Sequence, residues 1–170
     1  MRAVAVALML AACTPGPQFV PDGYRDQTVP ITSSTRFNAE QFAGDWRVIE
    51  SFERTPQEVT ISRISFTPTQ GGFAYTASAP ISPLAADAER NAPPVYQLAQ
   101  FGRMTREGAD PIWVIWVDED HRTAVLGTPS GRFGMIVNRT KTLRADRLKA
   151  AREILAFNGY DISKLRKVAP

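Results

Sequence analysis

From residue 37 to residue 137 the chain is a succession of short runs in which apolar side chains alternate with polar ones or fill the run. Residues 46–52, 59–66, 73–77, 95–101, 112–117, 123–126 and 132–137 are rich in Val, Ile, Phe, Tyr and Trp, and each reads as a strand. Gly, Pro, Asp and Ser cluster at 68–72, 108–111, 118–121 and 127–131, the chemistry of tight turns. Such short connections suit antiparallel hairpins, because a parallel crossover needs a dozen or more residues. Residues 81–94 are less regular: Pro83, Pro93 and Pro94 bracket an Ala/Asp/Glu stretch open to loop, short helix or distorted edge strand. Seven strands are supported and an eighth is inferred. Near the C-terminus, Leu148, Ala151 and Leu155 fall on one face of a helix over 146–157, with Thr142 as its cap and Gly159 at its stop. Lys149 and Arg152 lie off that stripe, on a solvated face. The pattern predicts an all-β body, a closed antiparallel barrel with one C-terminal helix packed outside.

Ahead of this body the pattern changes twice. Met1-Arg2 is followed by a ten-residue apolar run from Ala3 to Ala12, the layout of a secretory leader. The run is too short for a bilayer core, which takes about 20 residues. Leu10-Ala11-Ala12-Cys13 resembles the lipobox of bacterial lipoproteins. That resemblance implies that residues 1–12 are a signal peptide and that Cys13 is acylated on its sulfur and its new amine, giving a lipid-anchored protein that does not span the membrane. Thr14, where Asp would retain a lipoprotein in the inner membrane, implies the periplasmic face of the outer membrane. Residues 13–36 carry Pro15, Pro17, Pro21 and Pro30 with no apolar periodicity and read as a flexible tether. At about 3.1 Å per residue, an extended Pro-rich tether would hold the body, residues 37–170, well clear of the lipid.

Composition narrows the function. The 170 residues carry 20 Lys and Arg against 17 Asp and Glu, a net charge of +3 without a basic block, which argues against nucleic acid as a partner. The single cysteine excludes an internal disulfide and a thiolate zinc site.

The order of motifs then resembles the lipocalin family, in particular the lipoprotein lipocalins of bacterial outer membranes. Phe42-Ala43-Gly44-Asp45-Trp46 is similar to the Gly-x-Trp signature of the first strand. The stretch 113–130 resembles the hairpin of the sixth and seventh strands, 132–140 the last strand with its terminal Arg, and 157–165 the tail after the helix. The resemblance implies an eight-stranded up-and-down barrel in which Trp46 plugs the closed end, Arg139 packs over its indole, and Gly44 allows the turn into the strand. Two stretches depart from the family pattern: 81–94 lacks the Gly-led fourth strand, and Gly134-Met135 stands where relatives carry an aromatic.

In such a fold the interior of the barrel is the candidate site, lined by alternate strand residues. Unbroken parity from Trp46 would turn Val48, Glu50 and Phe52 inward, and a bulge would invert it. On 112–117, either Trp113, Ile115 and Val117 or Ile112, Val114 and Trp116 face the cavity. The candidate ligand-binding set is Phe52, Phe73, Tyr75, Tyr96, Trp113 and Trp116. Asp118-Glu119-Asp120-His121 invites a metal reading, but adjacent hairpin residues diverge and turns use Asp locally, so no metal or cofactor is expected. Ser130 has no base except His121 and no Gly-x-Ser-x-Gly context, so no catalytic residue is assigned. The expected function is a tethered, non-enzymatic lipocalin that binds a fatty acid, lysophospholipid or similar amphiphile. The alternative is a structural lipoprotein with a filled barrel and a protein partner.

Overall fold

Alternation of apolar and polar residues over strand-length runs produces the observed sheet. A computed structural model describes residues 16–21, 23–52, 61–78 and 92–168. Strands β1 (Gly44–Phe52), β2 (Arg63–Thr69), β3 (Gly72–Ser78), β4 (Val95–Ala99), β5 (Arg103–Thr105), β6 (Ile112–Val117), β7 (Thr123–Gly127) and β8 (Gly134–Asn138) pair antiparallel in sequence order. The sheet closes where β1 pairs with both β8 and β2. A ninth strand, β9 (Leu165–Lys167), adds to β1 beyond its contact with β2. A short helix α1 (Ala39–Phe42) precedes β1, and α2 (Ala145–Phe157) follows β8.

This up-and-down order gives the barrel two unlike ends. The start of β1, the β2–β3, β4–β5 and β6–β7 turns and the end of β8 share the end covered by α1, the closed end. The other end, the mouth, holds the end of β1, the start of β4 and the β5–β6 and β7–β8 loops. Helix α2 starts near the closed end, where Arg147 donates to Asp118 at 2.5 Å, and runs toward the mouth. Ala151 and Leu155 bury against the outer face of the barrel with Ile115, Val125 and Ile136, so β7 and β8 are buried on both sides. Its N-cap is Arg144, without a side-chain cap bond, rather than Thr142. Gly159, at φ +85°, ends it in the left-handed region.

Three expectations are corrected. The eighth strand is β5: the run read as one strand over 95–101 turns at Gln100–Gly102, where Phe101 takes φ 61°, and pairs back on itself. Of residues 81–94, where that strand was inferred, 81–91 lie outside the described residues and 92–94 form no strand, and β3 pairs directly with β4. Parity breaks at a bulge in β1 between Val48 and Glu50 and at another in β6 between Val114 and Trp116. Finally, the segment read as tether does not stand clear of the body over residues 23–36. Tyr24 N donates to Gly131 O at 2.8 Å, Asp26 N to Gly159 O at 2.8 Å and Ser34 N to Val114 O at 2.8 Å. The segment is a strap along the barrel wall from mouth to closed end, held by hydrogen bonds that need no apolar period.

Candidate functional site

The closed end is built around one indole. Gly44 takes φ +93°, a conformation that favours glycine, and delivers Trp46 into the barrel floor fully buried. Phe42 lies 5.1 Å from Trp46 and 4.9 Å from Phe66 between ring centroids, and Phe66 lies 6.0 Å from Phe73. The guanidinium of Arg139 sits 3.7 Å from the Trp46 ring centroid. It donates to Gln41 O at 2.6 Å, Asp45 O at 2.8 Å, Ala43 O at 2.9 Å and Phe42 O at 3.0 Å. Burial holds its pKa below the ordinary arginine value, and Asp45 opposes the shift. Gly44, Trp46 and Arg139 thus form a structural plug.

The acidic turn beside it is occupied by backbone chemistry. Asp118 Oδ1 accepts from Arg122 N at 2.7 Å and Thr123 N at 2.9 Å, and Oδ2 accepts from Arg147. Asp120 also faces Arg147, at 3.2 Å. Among the described residues no three His, Cys, Asp or Glu side chains are grouped to hold a metal. His121, at φ 52°, buries both ring nitrogens without a hydrogen-bond partner. Ser130 lies in the β7–β8 loop at the mouth and donates to Asp110 Oδ2 at 2.9 Å. His121 is at the other end of the barrel, so the two do not form a nucleophile and base.

Above the plug, the interior is apolar until two tyrosines. Ile64, Met104, Ile112, Val114, Leu126 and Met135 face inward. Tyr75 and Tyr96 meet edge-on at 6.0 Å, and the Arg106 guanidinium of the β5–β6 loop lies 5.5 Å from the Tyr96 ring centroid. Burial, with the neighbouring Tyr96, pushes the Tyr75 phenol well above its ordinary pKa. Tyr75 is only partly buried and packs against the inward-facing cluster beside Tyr96.

The six candidate ligand contacts therefore divide. Tyr75 and Tyr96 line the interior, and Phe73 is part of its floor. Phe52 is corrected to the outer face: the β1 bulge turns it under the strap, stacked on Tyr24 at 4.9 Å and on Tyr160 at 5.3 Å. The same bulge sends Glu50 outward to a two-pronged contact with Arg152. On β6 neither expected set is inside, because the bulge leaves Ile112, Val114 and Val117 inward. Trp113 lies outside under the Arg103 guanidinium, 4.2 Å from its ring centroid, and Trp116 packs in the outer cluster beneath α2. Cys13 lies outside the described residues. Sequence reasoning missed Arg106 at the mouth and Arg25 in the strap. Neither carries a local motif, since their partners come from distant turns.

Comparison with known proteins agrees with this architecture. A family model described as a lipocalin-like domain matches residues 86–170, half of the chain. Temperature-induced lipocalin-1 of Arabidopsis thaliana is 38% identical over 55 residues, 32% of this chain, so the chain matches under a third, 30%, of that relative's length. Among solved structures, the cockroach major allergen Per a 4 superposes with a TM-score of 0.58 at 12% identity, covering 82% of this chain and 93% of that one. Lobster apocrustacyanin A1 gives 0.53 at 15% identity, covering 83% and 89%. At such identities these structures show the fold, and it is the same closed barrel with a helix on its C-terminal side. The family match and the barrel together place this chain among the lipocalins.

Proposed function

We propose that this lipocalin is a non-enzymatic carrier that takes a fatty acid, lysophospholipid or similar amphiphile into its barrel, tethered by acylated Cys13 at the periplasmic face of a bacterial outer membrane. The observation that carries the reading is the layered interior: an aromatic floor, an apolar wall, then Tyr75 and Tyr96 with Arg106 above them. An acyl chain gains about 0.8 kcal/mol per buried methylene against such a wall before ordering costs. Phenol hydroxyls and a guanidinium suit the anionic or polar head that follows the chain. The family supports binding of small hydrophobic ligands, and the Leu10-Ala11-Ala12-Cys13 motif supports the anchor.

The body from Gly16 onward, which keeps the strap, is purified without detergent and titrated with a fluorescent fatty acid. Near-stoichiometric binding is expected, displaced by lysophospholipid, with Tyr75→Ala weakening it about tenfold, or about 1.4 kcal/mol. A folded body that neither copurifies with lipid nor binds the probe overturns the carrier reading and favours a partner-binding lipoprotein. The anchor is tested separately: Cys13→Ala is expected to move the full chain from the membrane pellet to the soluble fraction.

A further inference from the structure

The described chain shows where any membrane anchor leaves the body. The strap is fixed at the mouth by Arg25, only 3% exposed, which donates to Asn158 O at 2.8 Å, Pro129 O at 3.0 Å and Val29 O. Upstream, Phe19 bridges to Asp26, Gln18 N donates to Asp26 Oδ1 at 2.8 Å, and Gln27 N donates to Gln18 O at 2.5 Å. The segment thus doubles back and is bonded again at Gln18. From Cys13 to Gln18 are five peptide units, which reach at most about 18 Å. That is far shorter than the tether read from the sequence.

Large apolar side chains lie beside this exit. The described residues expose Phe19 at 48%, Phe157 at 73% and Ile162 at 42% on the strap side of the mouth, Val95 at 41% on β4 across the barrel, and Phe101 at the closed end. Phe19 lines a depression with Tyr24, Asp161 and Lys164. The segment holding Phe157 and Ile162 is bonded to the strap through Gly159 O to Asp26 N and Asp161 N to Tyr24 O. Arg132, Lys164 and Arg166 are exposed beside them. The acids beside the strap are engaged locally, Asp161 with Ser163 and Asp26 with Gln18 and Thr28, and on the β5–β6 loop Asp110 accepts from Ser130 while Glu107 is exposed. Aromatic and aliphatic side chains flanked by lysine and arginine match the boundary of an anionic bilayer.

We infer that the barrel is held mouth-down on the bilayer, with the rim formed by Phe19, Phe157 and Ile162 seated at the lipid boundary and the α1 end pointing away. The inference rests on the acyl-anchor reading and adds an orientation to it. A ligand would then pass between bilayer and barrel without crossing open water.

The test uses the full acylated chain in mixed phosphatidylethanolamine and phosphatidylglycerol vesicles. One variant carries Ile162→Cys at the rim and another Glu119→Cys at the closed-end turn; both positions are exposed, and Cys13 is blocked by its lipid. Each thiol carries an environment-sensitive fluorophore, and lipid-borne nitroxide is the quencher. Quenching at 162 is expected to exceed that at 119 by about threefold or more, as for a group at the headgroup boundary. Equal quenching, or stronger quenching at 119, on acylated and vesicle-bound protein overturns the orientation alone. Protein whose N-terminal peptide lacks acyl groups and which stays off the vesicles overturns the anchor and the orientation together.

Discussion

Arg139 spends its donors on carbonyl oxygens alone: those of Gln41, Phe42, Ala43 and Asp45, with His121 O at 3.4 Å. A planar fork satisfies several converging carbonyls while lying flat on an indole, and an ammonium does not. Arg139→Lys is therefore expected to lose most of what Arg139→Ala loses, about 3 kcal/mol in chemical denaturation. Asp26 offers a pH handle in the strap. Hydrogen bonds from Gln18 N, then Thr28 N, hold its carboxyl below the usual carboxylate range. A depressed folded pKa gives stability that is complete above the unfolded value, about 3.9, and is lost as pH falls through the folded one. Protection of the Gln18 and Thr28 amides, relative to their intrinsic exchange, should thus fall below about pH 4. Asp26→Asn should abolish that pH dependence, and unchanged protection in the acid range would contradict it.

At the scale of elements, α2 is clamped to the barrel by charge as well as by Ala151 and Leu155. Glu50, 3% exposed, takes both of its contacts from Arg152, whose side chain is half exposed. Removing the arginine strands a buried carboxylate, so Arg152→Ala is expected to cost about 2 kcal/mol, less than a fully buried pair because solvent reaches the arginine. Glu50→Met with Arg152→Met should recover most of that loss by thermal melting. The strands containing these residues were legible because half-buried sheet imposes a period of two, and the α2 stripe because one helical face is apolar. What the period could not carry was its own interruption: single extra residues in β1 and β6 turned Glu50, Phe52 and Trp116 outward. The hinge at Phe101 was hidden because a phenylalanine rarely occupies the left-handed region, and Gly102 beside it is crowded by Phe37, just ahead of α1. The plug could be read from three residues with a shared motif. The interior set could not, because its membership depends on those bulges.

For the whole molecule, the strap is the part that sequence pattern concealed, since its attachments are backbone hydrogen bonds scattered over the mouth loop, the end of α2 and β6. Gly131 shows how close the fit is: at φ +73°, a Cβ there would lie 2.3 Å from Arg25 Cβ. Arg25→Ala should lower global stability by about 3 kcal/mol, by the loss of buried, charge-assisted bonds. It should also make 16–36 the first segment cut by protease in the native state, while near-ultraviolet dichroism of the barrel persists. A strap that resists cleavage in this variant would mean that Tyr24 and Ser34 suffice to hold it. The pairing of β1 also has a consequence for biogenesis. Its partners are β2, β8 and β9, so the first strand cannot be fully satisfied until residues 134–167 exist beside it. A chain emerging N-terminus first, from a ribosome or a translocation pore, keeps its barrel open until nearly its whole length has followed. Such late closure leaves a long interval in which the chain is still threadable, and in which a chaperone has most of the β-hairpins to shield from one another.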